Sequence, residues 1–109
     1  MQNNQIPDFA LSAATSNNVN SMGPGNGRLY FHPKAGKYGA WATSTNDEFQ
    51  WFAVNFVSYA KVTGLATQGR QDGNWWVASY SLSFSHDNVF FEDYKENNVK
   101  KVCEVMIWI

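Results

Sequence analysis

From Trp76 to Ser85 the chain shows its cleanest alternation. Trp76, Ala78, Tyr80, Leu82 and Phe84 fall on one side, and Ser79, Ser81, Ser83 and Ser85 on the other. A helix would spread these residues around its circumference, whereas an extended strand sorts them onto two faces. The stretch reads as a half-solvated antiparallel strand, with Tyr80 and Leu82 in the core and the serines in water. Trp76 keeps phase with Ala78 and Tyr80 and is expected to pack inward. His86-Asp87-Asn88 is a hairpin signal, because Asn and Asp tolerate positive φ, and Val89-Phe90-Phe91 is the expected return strand.

The stretch around which the rest is organised lies just upstream, from Gln50 to Arg70. Phe52, Val54 and Phe56 alternate with Ala53 and Asn55, which predicts a strand with one buried face. Val62 to Thr67 resumes as a β-branched apolar run, and Gly64 inside it marks a bulge or a close backbone approach. Further upstream, Phe9 to Thr15 reads as a first short strand. Ser16 to Gly27 is a loop by composition, with only Val19 and Met22 apolar. His32 to Lys37 is a turn region, and Ala40 to Thr43 a brief strand or bend. After the hairpin, Tyr94 to Lys101 is polar and loop-like, while Val102 to Ile109 suits a final strand. Nowhere does a 3.6-residue apolar period hold for three turns, so the chain is all-β.

A length of 109 residues accommodates one domain. The net charge of −1 supplies no basic field for nucleic acid, and Lys34 and Lys37 are a solvated turn rather than a phosphate-tracking patch. Cys103 is the single cysteine and forms no internal disulfide. No apolar run approaches the ~20 residues of a membrane span, and Gln2-Asn3-Asn4 follows no signal peptide.

Several of these pieces occur together, in order, in one family. Ala40-Trp41, Gln50-Trp51-Phe52-Ala53-Val54-Asn55-Phe56, Val62-Thr63-Gly64 with Thr67-Gln68-Gly69-Arg70, Trp76 to Tyr80, and Ser85 to Asn88 with Tyr94 resemble the discoidin domain, also called the coagulation-factor C-type domain. Ile6-Pro7-Asp8 and Arg28-Leu29 agree on the N-terminal side. The resemblance implies a distorted jelly-roll β-sandwich of the galactose-binding-like kind, of ~8 strands. It implies an extracellular or cell-surface, non-catalytic binding or adhesion module, recognising a glycan, an anionic phospholipid or a protein partner through loops at one end.

The departures from the family pattern are specific. The two cysteines usual near the domain ends are missing, Tyr30 and Asn55 stand where polar and acidic residues are common, and Asn88 and Phe91 replace a turn Gly and a Trp. On this reading residues 5–102 are an incomplete discoidin-like domain lacking its last strands, and 103–109 a divergent tail. Self-association through the incomplete sheet is expected, with Val105 to Ile109 as a substitute strand. Two alternatives are a truncated gene product without a binding role of its own and an accessory binding module of a carbohydrate-active enzyme.

The candidate ligand-binding residues are Met22, Arg28, Arg70 and Trp75. Met22 and Trp75 sit on Gly- and Asn-rich loops, where an apolar tip meets a lipid interface or stacks on a sugar ring. The competing reading of Met22 is core filler. Arg28 and Arg70 suit carboxylate, sulfate or phosphate, although an arginine beside a sandwich core more often orders loops through backbone carbonyls. No catalytic or metal site is assigned. His32 and His86 lack a neighbouring nucleophile motif, and no cofactor is implied. Asp47-Glu48 and Asp72 could contribute oxygens to calcium only if several more converged.

Overall fold

The computed structural model describes residues 6–104. Among them lie eight short strands, β1 (Leu11–Ala13), β2 (Phe52–Val54), β3 (Ser79–Ser81), β4 (Ser83–Phe84), β5 (Glu92–Asp93), β6 (Lys95–Glu96), β7 (Val99–Lys100) and β8 (Val102–Glu104). Single 3₁₀ turns occur at Asp8–Ala10 and Pro24–Asn26, and no α-helix is present among the described residues. The chain divides into two compact units, one running through Trp75 and one starting at Trp76.

In the first unit β1 pairs antiparallel with β2, Leu11 opposite Val54 and Ala13 opposite Phe52. Main-chain bonds from Ala14 to Trp51 and from Asn55 to Ala10 extend the ladder at both ends. The buried hydrophobic residues among those described are Ala10, Leu11 and Met22, all in this unit. The Asp8–Ala10 turn takes the place of the start of the expected Phe9–Thr15 strand, leaving Phe9 in water.

The loop from Ser16 to Gly27 is tightly wound. Asn18 accepts the N–H groups of Asn20 and Ser21 on its side chain and that of Met22 on its carbonyl. That turn swings Met22 inward to 5% exposure. Ala42 N–H donates to the Met22 carbonyl, and the Ala42 carbonyl accepts from Asn17, so the 40–43 bend straps the loop down. Asn26, at 4% exposure, donates from Nδ2 to the carbonyls of Ser21 and Tyr38 at 2.7 and 2.9 Å. A buried amide that meets two carbonyls satisfies three groups at once. Gly27 lies under the Phe52 ring, where a Cβ would come within 2.6 Å of Cε2. Phe52 in turn packs at 5.2 Å on Trp41, whose indole N–H reaches the Thr15 carbonyl.

The central pair expected from Gln50 to Arg70 is only half formed. β2 ends at Val54, because Asn55 Oδ1 accepts the N–H of Val57 and Val57 turns to a φ of 68°. Val62 to Thr67 forms no strand and is solvent-exposed, and Gly64 has open space around it rather than a neighbouring backbone. A β-branched run becomes a strand only where a partner and a covering layer receive it.

In the second unit β3 pairs with β8, β4 with β5 and β6 with β7, all antiparallel. Tyr80 sits opposite Cys103 and Ser81 opposite Val102. The alternation holds in part: Tyr80 and Leu82 are half-buried, with Ser79, Ser81 and Ser83 exposed. Trp76 and Phe84, expected to face inward, are 51% and 48% exposed. An alternating strand buries its apolar face only under a facing layer, and the described residues of this unit contain no buried hydrophobic side chain. Leu82→Ala is therefore expected to cost about 1–2 kcal/mol, the value for a partly buried side chain, against less than about 0.5 kcal/mol for Ser81→Ala. A urea titration that finds the two equal would reverse the assignment of the faces.

The hairpin turn forms at the expected residues, but its return is late. Asp87 Oδ1 accepts the N–H groups of Val89 and Phe90 and the Ser85 hydroxyl, while Ser85 Oγ accepts Asn88 N–H. Asn88 adopts a φ of 61°. Since Asp87 takes the amides of Val89 and Phe90, they are not free for the ladder, and pairing resumes at Glu92–Asp93. The polar stretch 94–101, expected as loop, holds a second hairpin. Asn97 and Asn98 have φ of 53° and 62°, the two consecutive positive values that a tight two-residue hairpin demands, and they join β6 to β7. Val102 to Glu104 is strand as expected, and residues 105–109 lie outside the described ones.

Candidate functional site

The four candidate residues fall into different environments. Met22 is inside, and burial removes it from any surface a ligand can touch. Arg28 is a loop-ordering arginine: its Nη2 donates to the Ile6 carbonyl and, like its Nε, to Asp8 Oδ1, with only 7% of the side chain exposed. The forked guanidinium thus fastens the start of the described chain to the end of the 16–27 loop.

Arg70 and Trp75 come together. The six-residue segment from Arg70 to Trp75 closes through the Arg70 N–H to the Trp75 carbonyl at 2.8 Å. Gly73 makes the closure tight, since a Cβ there would stand 3.1 Å from Arg70 Cζ. The guanidinium lies 4.6 Å from the Trp75 ring centroid and 4.9 Å from that of Tyr38. A planar cation between two aromatic rings gains from both quadrupoles, and Arg is better suited to this than Lys. Nε donates to Asp72 Oδ1 at 2.8 Å. Trp75 nevertheless keeps 52% of its surface in solvent and Tyr38 47%. The result is a fixed cation flanked by two exposed rings. Beside it runs an open groove lined by Ser21, Lys34, Lys37, Tyr38 and Asp72.

Tyr38 and Asp72 carry this arrangement as much as Arg70 and Trp75. Tyr38 had no strand phase or turn chemistry to single it out, and Asp72 stood out only as one of several loop carboxylates. A clue to Asp72 was its place in Arg70-Gln71-Asp72-Gly73, where a short acid two residues from an arginine can reach back to it.

Asp72 and Asp87 each accept several hydrogen bonds. The hydrogen bond from Arg70, reinforced by Gly39 N–H, draws the Asp72 carboxyl below its ordinary value, and the amides of Phe90 and Val89 do the same for Asp87. Lower folded-state values mean that both contribute stability above the unfolded carboxylate pKa of ~3.9 and lose it as pH falls through the folded-state values. Melting temperature should fall on acidification, and less steeply in Asp72→Asn and Asp87→Asn. An unchanged slope in both variants would contradict the assignment. Asp47 is engaged by Phe49 N–H and Gln50 Nε2, and among the described residues no group of three or more His, Cys, Asp or Glu is placed to hold a metal ion.

Residues 12–105 match the model of the F5/8 type C domain family. Over 111 residues, 95% of this chain, the sequence is 36% identical to lactadherin of Rattus norvegicus, and to lactadherin of Mus musculus at the same identity and coverage. It is 32% identical over 108 residues, 93% of the chain, to the human EGF-like repeat and discoidin I-like domain-containing protein 3. The aligned stretch makes up 25%, 23% and 22% of these three relatives, so the chain spans about a quarter of their length. The short antiparallel strands agree with the family's all-β, galactose-binding-like fold, and the chain belongs to the F5/8 type C, or discoidin, domain family.

Proposed function

We propose that the chain is a non-catalytic extracellular binding or adhesion module that recognises a glycan, an anionic phospholipid or a protein partner through its loops, with Arg70 and Trp75 at the contact. The observation that carries this reading is the half-exposed Trp75 ring held against a fixed guanidinium. An indole so presented suits the apolar face of a sugar or the polar–apolar boundary of a membrane, and the cation beside it suits an anionic group. The Arg70 side chain is 12% exposed, so it supplies positive charge from beneath the Trp75 ring, with its Nε–H given to Asp72. Membership in the discoidin family supports both the binding role and the extracellular setting.

The test is binding of the wild-type chain to immobilised neutral and acidic glycans and to vesicles with and without anionic lipid. Retention on one of these surfaces, lost on competition with the same soluble group, supports the reading. Failure to bind all of them would leave the protein-partner arm, which pull-down from cell-surface extracts and subsequent reconstitution with the purified partner decides.

A further inference from the structure

We infer that Asp72 is the positioning residue of this surface: by accepting hydrogen bonds from two loops on one oxygen, it holds Arg70, and through Arg70 the Trp75 ring, in register with Tyr38. The inference deepens the proposed binding role and rests on Trp75 being part of the contact. Asp72 Oδ1 accepts Arg70 Nε–H at 2.8 Å and the N–H of Gly39 at 3.0 Å, from a residue 33 positions away. Gly39 follows Tyr38 directly, so one carboxylate oxygen ties the segment carrying the first ring to the cation that carries the second.

The packing around this oxygen leaves no slack. Gly39 is buried, and a Cβ on it would stand 2.8 Å from Asp72 Oδ1. Gly73 lies against Arg70, where a Cβ would stand 3.1 Å from both Cζ and Nε. Two glycines thus let the carboxylate and the guanidinium close on each other. A guanidinium stacked only by aromatic faces slides in the plane of the rings, because that attraction is weakly directional. A charge-assisted hydrogen bond at Nε removes the freedom. Asp72 bonds the Arg70 guanidinium and the Gly39 amide, and its effect on a ligand is exerted through the orientation of Arg70 and Trp75.

The chain has two arginines, Arg28 and Arg70, so a proton–nitrogen spectrum of the arginine Nε–H groups holds two signals, and Arg28 reports on the fold independently. In Asp72→Ala the Arg70 Nε–H should exchange with water about tenfold faster or more, as expected for loss of a bond to a charged acceptor. The Arg70 δ-protons, shifted upfield by the two rings in the wild type, should move to unstacked positions. The Arg28 signal should stay. Asp72→Asn, which keeps an oxygen for both donors, should retain most of the ring-induced shift with an intermediate exchange rate. This pattern supports positioning whatever the ligand turns out to be. Arg70 δ-protons that remain fully shifted in Asp72→Ala would overturn it. Should the Arg28 signal also collapse in that variant, Asp72→Asn decides: Arg70 Nε–H exchange as slow as wild type contradicts the proposal, and faster exchange with Arg28 intact supports it.

Discussion

Met22→Ala should destabilise the chain by about 2–5 kcal/mol, the range for emptying a buried methionine site. Met22 is one of three buried hydrophobic residues among those described, and its main chain is held at both ends, N–H to Asn18 and carbonyl from Ala42. The backbone cannot follow the shortened side chain inward without breaking those bonds, so the cavity relaxes little. Val19→Ala on the same loop provides the contrast. Val19 is 70% exposed, and its truncation should stay within about 0.5 kcal/mol. Urea unfolding followed by tryptophan fluorescence measures both, and a Met22 variant as stable as the Val19 variant would place Met22 back on the surface.

A second large effect is expected at Asn26. Asn26→Asp changes volume hardly at all, yet it turns an amide that donates to the Ser21 and Tyr38 carbonyls into a carboxylate facing two acceptors. A buried charge without a partner costs about 3–5 kcal/mol. The damage should ease at low pH, where the introduced carboxyl takes up a proton and regains one donor. Chemical denaturation at pH ~7 and ~4 separates this from a general acid effect: the gap to wild type should narrow on acidification. A gap that is small at both values would mean that the amide is not the cross-link between the loop and the Tyr38 segment. Because Asn26 positions the Tyr38 carbonyl, the substitution also bears on the ring that stacks on Arg70.

What the sequence made legible was period and turn chemistry. The alternation from Trp76 to Phe84 put Tyr80 and Leu82 on the more covered face, and Asp87-Asn88 marked a real turn. What it could not show was which apolar runs find a partner. Val62 to Thr67 has the composition of a strand and forms none, while Trp76 keeps the right phase and stays half in solvent, because burial requires a facing layer that phase alone does not supply. Asn97-Asn98, two adjacent residues that tolerate positive φ flanked by short polar strands, carries a hairpin signal that apolar patterning hides.

The candidate site divides the same way. Arg70 and Trp75 were visible as residue types on a turn-rich loop. Arg28 sits beside the core, where loop ordering is the expected role, and its guanidinium donates to the Ile6 carbonyl and Asp8. Met22 was ambiguous because Gly- and Asn-rich context describes a loop that folds back as well as one that protrudes. Asp72 has a local clue in its spacing from Arg70, but its bond to Gly39, which brings in Tyr38, spans 33 residues, and no local rule reports such a contact.

The proposed contact centres on Trp75, and the most direct measurement is the affinity of Trp75→Ala on whichever immobilised glycan, vesicle or purified partner retains the wild type, taken together with its melting curve. The ring is half exposed, so its removal should leave the melting temperature close to wild type. Binding should weaken by at least about tenfold, as expected for loss of an aromatic anchor near the centre of a contact. Affinity equal to wild type, with the melting curve unchanged, would contradict the account and put the recognition surface elsewhere on the domain.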